Sequence, residues 1–266
     1  MFALPLAATG ILQQLFNAAD TAVVGKFASS TALAAVGSNA PIVNLIGSLF
    51  MGTAMGSNVV IANAIGAGDK NRVHRAVHTS ILFSFICGIL MLFFGELIAN
   101  PLLRMVNVPS AVMSHALLYL RLLLLGSPFM LIYNFSAAIL RSKGDSKRPL
   151  FILIFTGTLN VALNLLLVIG LKRSVDGVAI ATIISNIASA LIILKLLQKE
   201  TGDLRLEFKE LKIDKTILKN IIQIGLPAGL QGMVFSLSNT VLQSGINTLG
   251  KNAIAGSAAG TIFEFI

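Results

Sequence analysis

Residues 12–25 read LQQLFNAADTAVVG, and this stretch decides the class of fold. It is apolar enough to lie in lipid, yet it carries the carboxylate of Asp20. An acidic side chain within a membrane helix costs roughly 2.5–3.5 kcal/mol on insertion scales, so it normally faces a bundle interior or a wet cavity. Gln13, Asn17 and Asp20 follow one another at spacings of four and three, which places them on one helix face. The stretch predicts a membrane helix whose polar stripe ends in a titratable group.

The composition of the whole chain is that of an integral membrane protein. Of its 266 residues, 55% are hydrophobic and 12% charged, whereas soluble domains carry about 25% charged residues. The apolar runs are continuous and long enough to span a bilayer as helices, which argues against barrels and sandwiches. The net charge of +9 does not indicate nucleic acid, because the basic residues cluster in loops, where membrane topology explains them. The single cysteine, Cys87, excludes an internal disulfide.

Seven apolar segments alternate with charged or turn-rich connections. We place them at about 2–27, 41–68, 78–99, 110–140, 150–171, 177–197 and 221–249. Gly126-Ser127-Pro128 is expected to interrupt and kink the fourth segment, because proline removes a backbone donor. Residues 199–219 carry mixed charges and are interpreted as a cytosolic linker, with an amphipathic helix on the membrane surface as one option. The last apolar run, 253–266, is too short to span.

Loop charge predicts the orientation of these segments. The loops after segments two, four and six carry most of the lysines and arginines. The positive-inside rule therefore places these loops in the cytoplasm. We expect a multi-pass protein of the plasma (cytoplasmic) membrane with a cytoplasmic N-terminus, and Asp20 in the outer half of the first helix.

An internal repeat relates the first and seventh segments. Leu4-Pro5 opens the first and Leu226-Pro227 opens the seventh, and at the same offset Asn17 meets Asn239. Six helices separate the two segments, which predicts a parallel repeat of six-helix halves. The fold class is therefore all-α integral membrane. It comprises a six-helix N-terminal lobe (1–199), a cytosolic linker (200–219) and the start of a C-terminal lobe (220–266). That last part holds helix seven and part of helix eight, so we expect a fragment or a truncated product.

A series of short motifs runs through the chain in a fixed order and spacing. They are Leu4-Pro5, NAADT at 17–21, AAVG at 34–37, GAGD at 66–69, ILRSKGD at 139–145, NVALN at 160–164, GVAIAT at 177–182 and GLP at 225–227. On these motifs the whole chain resembles the multidrug and toxic compound extrusion (MATE) transporters, as their N-terminal lobe plus the start of the C-terminal lobe.

The resemblance implies twelve helices in two six-helix lobes, with export of amphipathic organic cations or similar drug-like molecules. It also implies inward Na⁺ or H⁺ as the driving ion, with no other cofactor, and the missing C-terminal lobe as a necessary partner. The ion or proton site of the similar prokaryotic branch corresponds here to Asp20, Asn160, Asn164 and Thr182. The second helix-five position is often aspartate in the family, so Asn164 leaves this site with one charge fewer.

Other polar residues are candidates for substrate binding. Gln13 and Asn17 lie within two turns of Asp20, and Asn239 occupies the repeat position of Asn17. Ordinary hydrogen bonding between helices remains an alternative for these side chains, as it does for the helix-five asparagines. The corresponding alternative for Asp20 is a carboxylate held by neighbouring helices without ion traffic.

Two histidines, His74 and His78, lie four residues apart at the predicted cytosolic edge. A metal-binding pair is one interpretation, but no third ligand is evident in the sequence, so we interpret them as solvated and predict no metal site.

No enzyme activity is predicted, and the absence of a G-x-x-x-x-G-K-[ST] motif argues against ATP as the driver. Two other functions stay open. A lipid-linked oligosaccharide flippase would need a strongly cationic cavity, and a half-transporter fragment would not transport at all.

Overall fold

The computed structural model describes residues 3–248, and the described part of the chain consists mainly of seven α-helices. They are α1 (Ala3–Phe27), α2 (Ser30–Gly66), α3 (Lys70–Met105), α4 (Ser110–Ser142), α5 (Lys147–Asn164), α6 (Val175–Gln198) and α7 (Lys215–Thr248). A π-helical turn, Leu165–Gly170, extends α5. This confirms the prediction of an all-α membrane fold. The predicted start of helix eight, 253–266, lies outside the described residues.

Six of these helices, α2 to α7, are long and apolar enough to cross a membrane by length and composition. The first helix is not among the six, because Gln13, Gln14, Asn17 and Asp20 lower its hydropathy. It packs instead along α5, with further contacts to α2 and α6. Helix α1 therefore contacts other helices along one side, whereas many of its remaining side chains are exposed.

The predicted first residues of the second and third helices are wrong. Helix α2 begins at Ser30 rather than near Pro41, and Ser29 caps it by accepting a hydrogen bond from the Ala32 amide. Helix α3 begins at Lys70 rather than His78, capped by the Asp69 carboxylate. Apolar runs mark only the part of a helix that meets lipid, whereas caps and alanine-rich sequence set its true length.

The expected interruption of α4 is also wrong, because the helix is continuous through Pro128. Proline cannot donate to the Leu124 carbonyl four residues earlier, and the Ser127 hydroxyl donates to that carbonyl instead, at 2.7 Å. On the neighbouring helix, a Cβ at Gly88 would lie 2.4 Å from the Pro128 Cα. The absence of a side chain at Gly88 thus lets the turn of α4 that contains Pro128 contact the α3 backbone directly.

The linker is not an amphipathic helix. We call residues 199–214 the strap; it contains two short 3₁₀ turns, Gly202–Leu204 and Phe208–Glu210. Leu204 and Leu206 are buried in an apolar cluster at this end of the bundle. Asp214 then caps α7 by accepting from the amides of Thr216 and Ile217. The strap is therefore packed onto the bundle and leads directly into α7.

Glycines on α2 and α7 bring these two helices into backbone contact. A Cβ at Gly52 would lie 2.1 Å from the Gly229 nitrogen, and one at Gly56 would lie 2.4 Å from the Ile221 carbonyl oxygen. In the reverse direction, a Cβ at Gly225 would lie 2.7 Å from the Thr53 Cα. Small residues at such spacings allow close helix association in membranes.

An ion-pair cluster around the buried Glu200 ties the strap to the α4–α5 turn and the first turn of α5. Glu200, whose side chain is only 7% exposed, accepts hydrogen bonds from Lys143 and Arg148, and Arg148 also pairs with Asp145. Burial alone would raise the pKa of the Glu200 carboxyl, but the two cationic donors outweigh it and lower the pKa below the ordinary 4.5. The charged form of Glu200 therefore stabilises the fold.

Replacing Glu200 by glutamine is expected to lower the free energy of unfolding at pH 7 by about 2 kcal/mol, because the partly exposed cations Lys143 and Arg148 lose the buried charged partner that they share. A carboxyl whose pKa is lowered by folding contributes stability above its unfolded pKa, and loses it as the pH falls through the folded pKa. The difference between wild type and Glu200→Gln should therefore close as the pH drops below 4.5. Denaturant unfolding in detergent, at pH 7 and at lower pH, measures this difference in the free energy of unfolding.

The matched control is Glu207→Gln, because Glu207 belongs to the strap but is 44% exposed. It should change the stability by less than about 0.5 kcal/mol. If Glu200→Gln lowers the free energy of unfolding equally at both pH values, the charged form of Glu200 does not stabilise the fold.

Candidate functional site

The site is positioned by close contact between α1 and α5. A Cβ at Gly157 would lie 2.0 Å from the Phe16 ring, so the ring occupies the space that a side chain would fill. One turn beyond Phe16 on α1 comes Asp20, and two turns beyond Gly157 on α5 comes Asn164. The absence of a side chain at Gly157 thus lets the two polar residues meet.

A chain of hydrogen bonds joins the four predicted ion-site residues across α1, α5 and α6. The Asn164 amide donates to Asp20 Oδ1 at 2.5 Å and to Asn160 Oδ1 at 3.1 Å. Asn160 Nδ2 in turn lies 3.4 Å from Thr182 Oγ1, which donates to the Val178 carbonyl at 3.0 Å. The structure therefore brings all four residues together, although they span 162 positions of the sequence.

The cluster is well shielded and rich in oxygen. Asn160 and Asn164 are buried, and Asp20 and Thr182 are half-buried. Asn164 Oδ1 is itself buried and has no hydrogen-bond partner. In the described helices α1, α2, α5 and α6, every lysine and arginine lies in the first or last turn. The Asp20 carboxylate is therefore surrounded by neutral groups, and the oxygens of the cluster are of the kind that hard cations prefer.

Tyr119 of α4 is a neighbour that the sequence did not identify. It is buried in the same apolar cluster as Val23 and Val24, which follow Asp20 on α1. Tyr119 lies among leucines of α4, two residues before Arg121, and no residue pattern marks it, so only the packing of α4 on the bundle reveals that it belongs near the site.

The backbone changes its geometry directly after Asn164. The π-helical turn Leu165–Gly170 includes a hydrogen bond from the Leu171 amide to the Leu166 carbonyl, five residues back. Such turns occur often at functional sites. No residue pattern in this apolar stretch predicted it.

The candidate substrate-binding residues lie apart from this cluster. Gln13 is half-buried and Asn17 is exposed, both on α1 before Asp20. The structure shows neither side chain in a hydrogen bond with the four cluster residues. The side chain of Asn239 lies outside the described residues.

These features define a polytopic helical membrane protein with a shielded acid–amide cluster between its first, fifth and sixth helices. The MatE family model matches residues 5–166, and the chain belongs to this family. It is 32% identical over 262 residues to "Probable multidrug resistance protein YoeA" of Bacillus subtilis, and 29% identical over 267 residues to "Probable multidrug resistance protein NorM" of Thermotoga maritima. A solved structure, "Crystal structure of MATE in the bent conformation", superimposes with a TM-score of 0.87 at 28% identity.

The matched regions cover this chain almost completely but the relatives only in part. They amount to 96% and 98% of this chain for the two curated relatives, and to 57% of each relative's own length. The solved structure gives the same proportions, 96% and 57%.

Proposed function

We propose that the complete protein is a secondary active exporter of amphipathic organic cations, driven by inward movement of Na⁺ or H⁺. The observation that carries this proposal is the shielded carboxylate of Asp20, held by the Asn164 amide among neutral oxygens. Related proteins named for multidrug resistance support the same class of substrate.

In this proposal, Asp20, Asn160, Asn164 and Thr182 form the coupling site. The Asn164 amide now donates to two oxygens that a cation would need as ligands. Rotation of this amide would release both oxygens and turn the unpartnered Oδ1 towards Asp20. A sodium ion could then bind several oxygens at once, whereas a proton would neutralise Asp20 and let the carboxyl group donate to that Oδ1. Either event replaces the present hydrogen bond between α1 and α5.

Gln13, Asn17 and Asn239 are proposed to line the substrate path. Asn17 is exposed, as such a role requires. A flippase for lipid-linked oligosaccharides is less well supported, because helices α1, α2, α5 and α6 place their lysines and arginines only in terminal turns.

The membrane arrangement is also part of this proposal. Loop charge supports the cytoplasmic membrane, a cytoplasmic N-terminus and the strap on the cytoplasmic side. The division into a six-helix lobe (1–199), a linker (200–219) and the start of a second lobe (220–266) rests on the sequence repeat.

The direct test is efflux from proteoliposomes that contain the protein expressed from its complete reading frame. A fluorescent organic cation is loaded, and Na⁺ and pH gradients are imposed separately. We expect one of the two gradients to drive export against the substrate gradient, and collapse of that gradient by an ionophore to stop it. Equal rates with and without either gradient would contradict ion-coupled export.

A further inference from the structure

The predicted cytosolic edge contains a cluster of metal-binding side chains that the sequence did not reveal. His74 and His78 lie on one face at the start of α3, and the strap brings Glu210 beside them. One ligand atom from each of the three residues lies within 4.8 Å of the other two. The interpretation of both histidines as solvated is wrong for His78, which is only 2% exposed.

The hydrogen bonds of His78 favour a metal-binding tautomer. Its Nδ1 lies 2.8 Å from the His74 carbonyl oxygen and donates its proton there. Metal-binding histidines commonly donate their second ring nitrogen in this way, which leaves the first as a free lone pair. His78 Nε2 accordingly accepts a hydrogen bond, from the Glu207 amide at 3.1 Å. This backbone amide must move away from Nε2 for a metal to bind there, and it belongs to Glu207 of the strap, whose side chain is 44% exposed.

The other two ligands are already aligned. His74 Nε2 lies 2.6 Å from Glu210 Oε2, and the two imidazole rings have centroids 4.2 Å apart. Neighbouring ligands of a tetrahedral zinc ion lie about 3.3 Å apart, given Zn–N and Zn–O distances of about 2.0–2.2 Å. The ligand atoms lie within 4.8 Å of one another, and the 54% exposed Glu210 can adjust its carboxylate as they approach this spacing. Arg75, which follows His74 in the sequence, is paired with Asp214 at 2.7 Å, which reduces its repulsion of a cation.

We propose that His74, His78 and Glu210 bind a zinc ion that fastens the strap to α3. Two histidines four residues apart on a helix, completed by a carboxylate, form a ligand set typical of zinc sites that keep a position open for water. The metal joins α3 to the segment that leads into α7. This site is separate from the Asp20 cluster and does not depend on the proposed transport activity.

The test is Zn²⁺ titration of the purified chain in detergent, in competition with a chromophoric chelator. The affinity tag must contain no histidine. We expect one Zn²⁺ per wild-type chain. His74→Gln and Glu210→Gln should each weaken binding by at least about tenfold, because changes in the surroundings of a metal ligand alone cost about 10–100-fold. Cobalt(II), used as a spectroscopic probe, should show the visible bands of a four-coordinate site in wild type but not in His74→Gln.

Two control substitutions remove the only other imidazole and the only thiol of the chain. The chain has three histidines and one cysteine, so His115→Gln and Cys87→Ser should bind Zn²⁺ like wild type. Zinc should also slow tryptic cleavage after Arg205, Lys209 and Lys212 of the strap, and should not do so in Glu210→Gln. The proposal is overturned if folded wild type binds no stoichiometric Zn²⁺. It is equally overturned if binding survives both ligand substitutions or requires His115 or Cys87.

Discussion

Replacing Asp20 by asparagine is expected to abolish gradient-driven efflux while leaving the protein folded in the membrane. The substitution removes the charge but keeps the shape, and the new Oδ1 can still accept the hydrogen bond from Asn164 that Asp20 Oδ1 accepts now. An amide cannot take up a proton near neutral pH and attracts a cation far less than a carboxylate. Export should fall to the level of cells without the protein. Dye efflux by cells that express the complete reading frame measures the change, with membrane abundance determined by immunoblot.

The chain offers a matched control for this substitution in Asp176. This aspartate lies in the first turn of α6 and pairs with Arg173 at 2.8 Å, outside the cluster. Asp176→Asn should retain most of the wild-type export. Wild-type efflux by Asp20→Asn at equal abundance would show that the carboxylate serves only to connect helices, and would end its assignment to ion coupling.

Replacing Gly52 by alanine is expected to lower the stability more than the same replacement at any other glycine of α2. The new Cβ would lie 2.1 Å from the Gly229 nitrogen and 2.2 Å from its Cα. These are backbone atoms of α7, so no side-chain rotation can relieve the overlap, and the two helices must separate. Overpacking of this kind costs about 1–3 kcal/mol, and we expect the upper end. Thermal unfolding in detergent measures the loss.

Gly47→Ala provides the matched control on the same helix, because a Cβ there meets no atom within 4 Å. Because the added methyl group enters open space, it should leave the stability unchanged or raise it by about 0.5–1 kcal/mol, since alanine favours the helix. The two substitutions are chemically identical, so opposite signs would isolate the contact with α7. Equal effects would mean that α2 and α7 do not approach as closely as the structure shows.

The strap shows where interpretation of the sequence reached its limit. Residues 199–219 carry the mixed charges of a surface segment, and both a linker and an amphipathic helix were consistent with that pattern. The structure instead packs Leu204 and Leu206 into the core, and Glu200 between two cations. Partners from the α4–α5 turn decide this arrangement, and no local pattern in residues 199–219 specifies them.

Resemblance to the MATE transporters, rather than a residue pattern, indicated Asn160, Asn164 and Thr182 as members of the polar cluster. The sequence by itself determined the fold class, the seven helices and the candidate role of Asp20. It could do so because long apolar runs are forced into helices in lipid, and because a carboxylate within such a run has few inexpensive alternatives to a functional role. The helix ends differed because capping and helix propensity, rather than apolarity, set them.

Only the tertiary structure decided which distant groups meet. It placed the Asn164 amide on Asp20 and left its Oδ1 without a partner, and it brought Glu210 to a pair of histidines more than 130 positions away. Such pairings depend on the register between packed helices, which glycines such as Gly52 and Gly157 set by admitting a neighbouring backbone or ring. A glycine in the sequence shows that close approach is possible, but the identity of the approaching group is a property of the whole bundle.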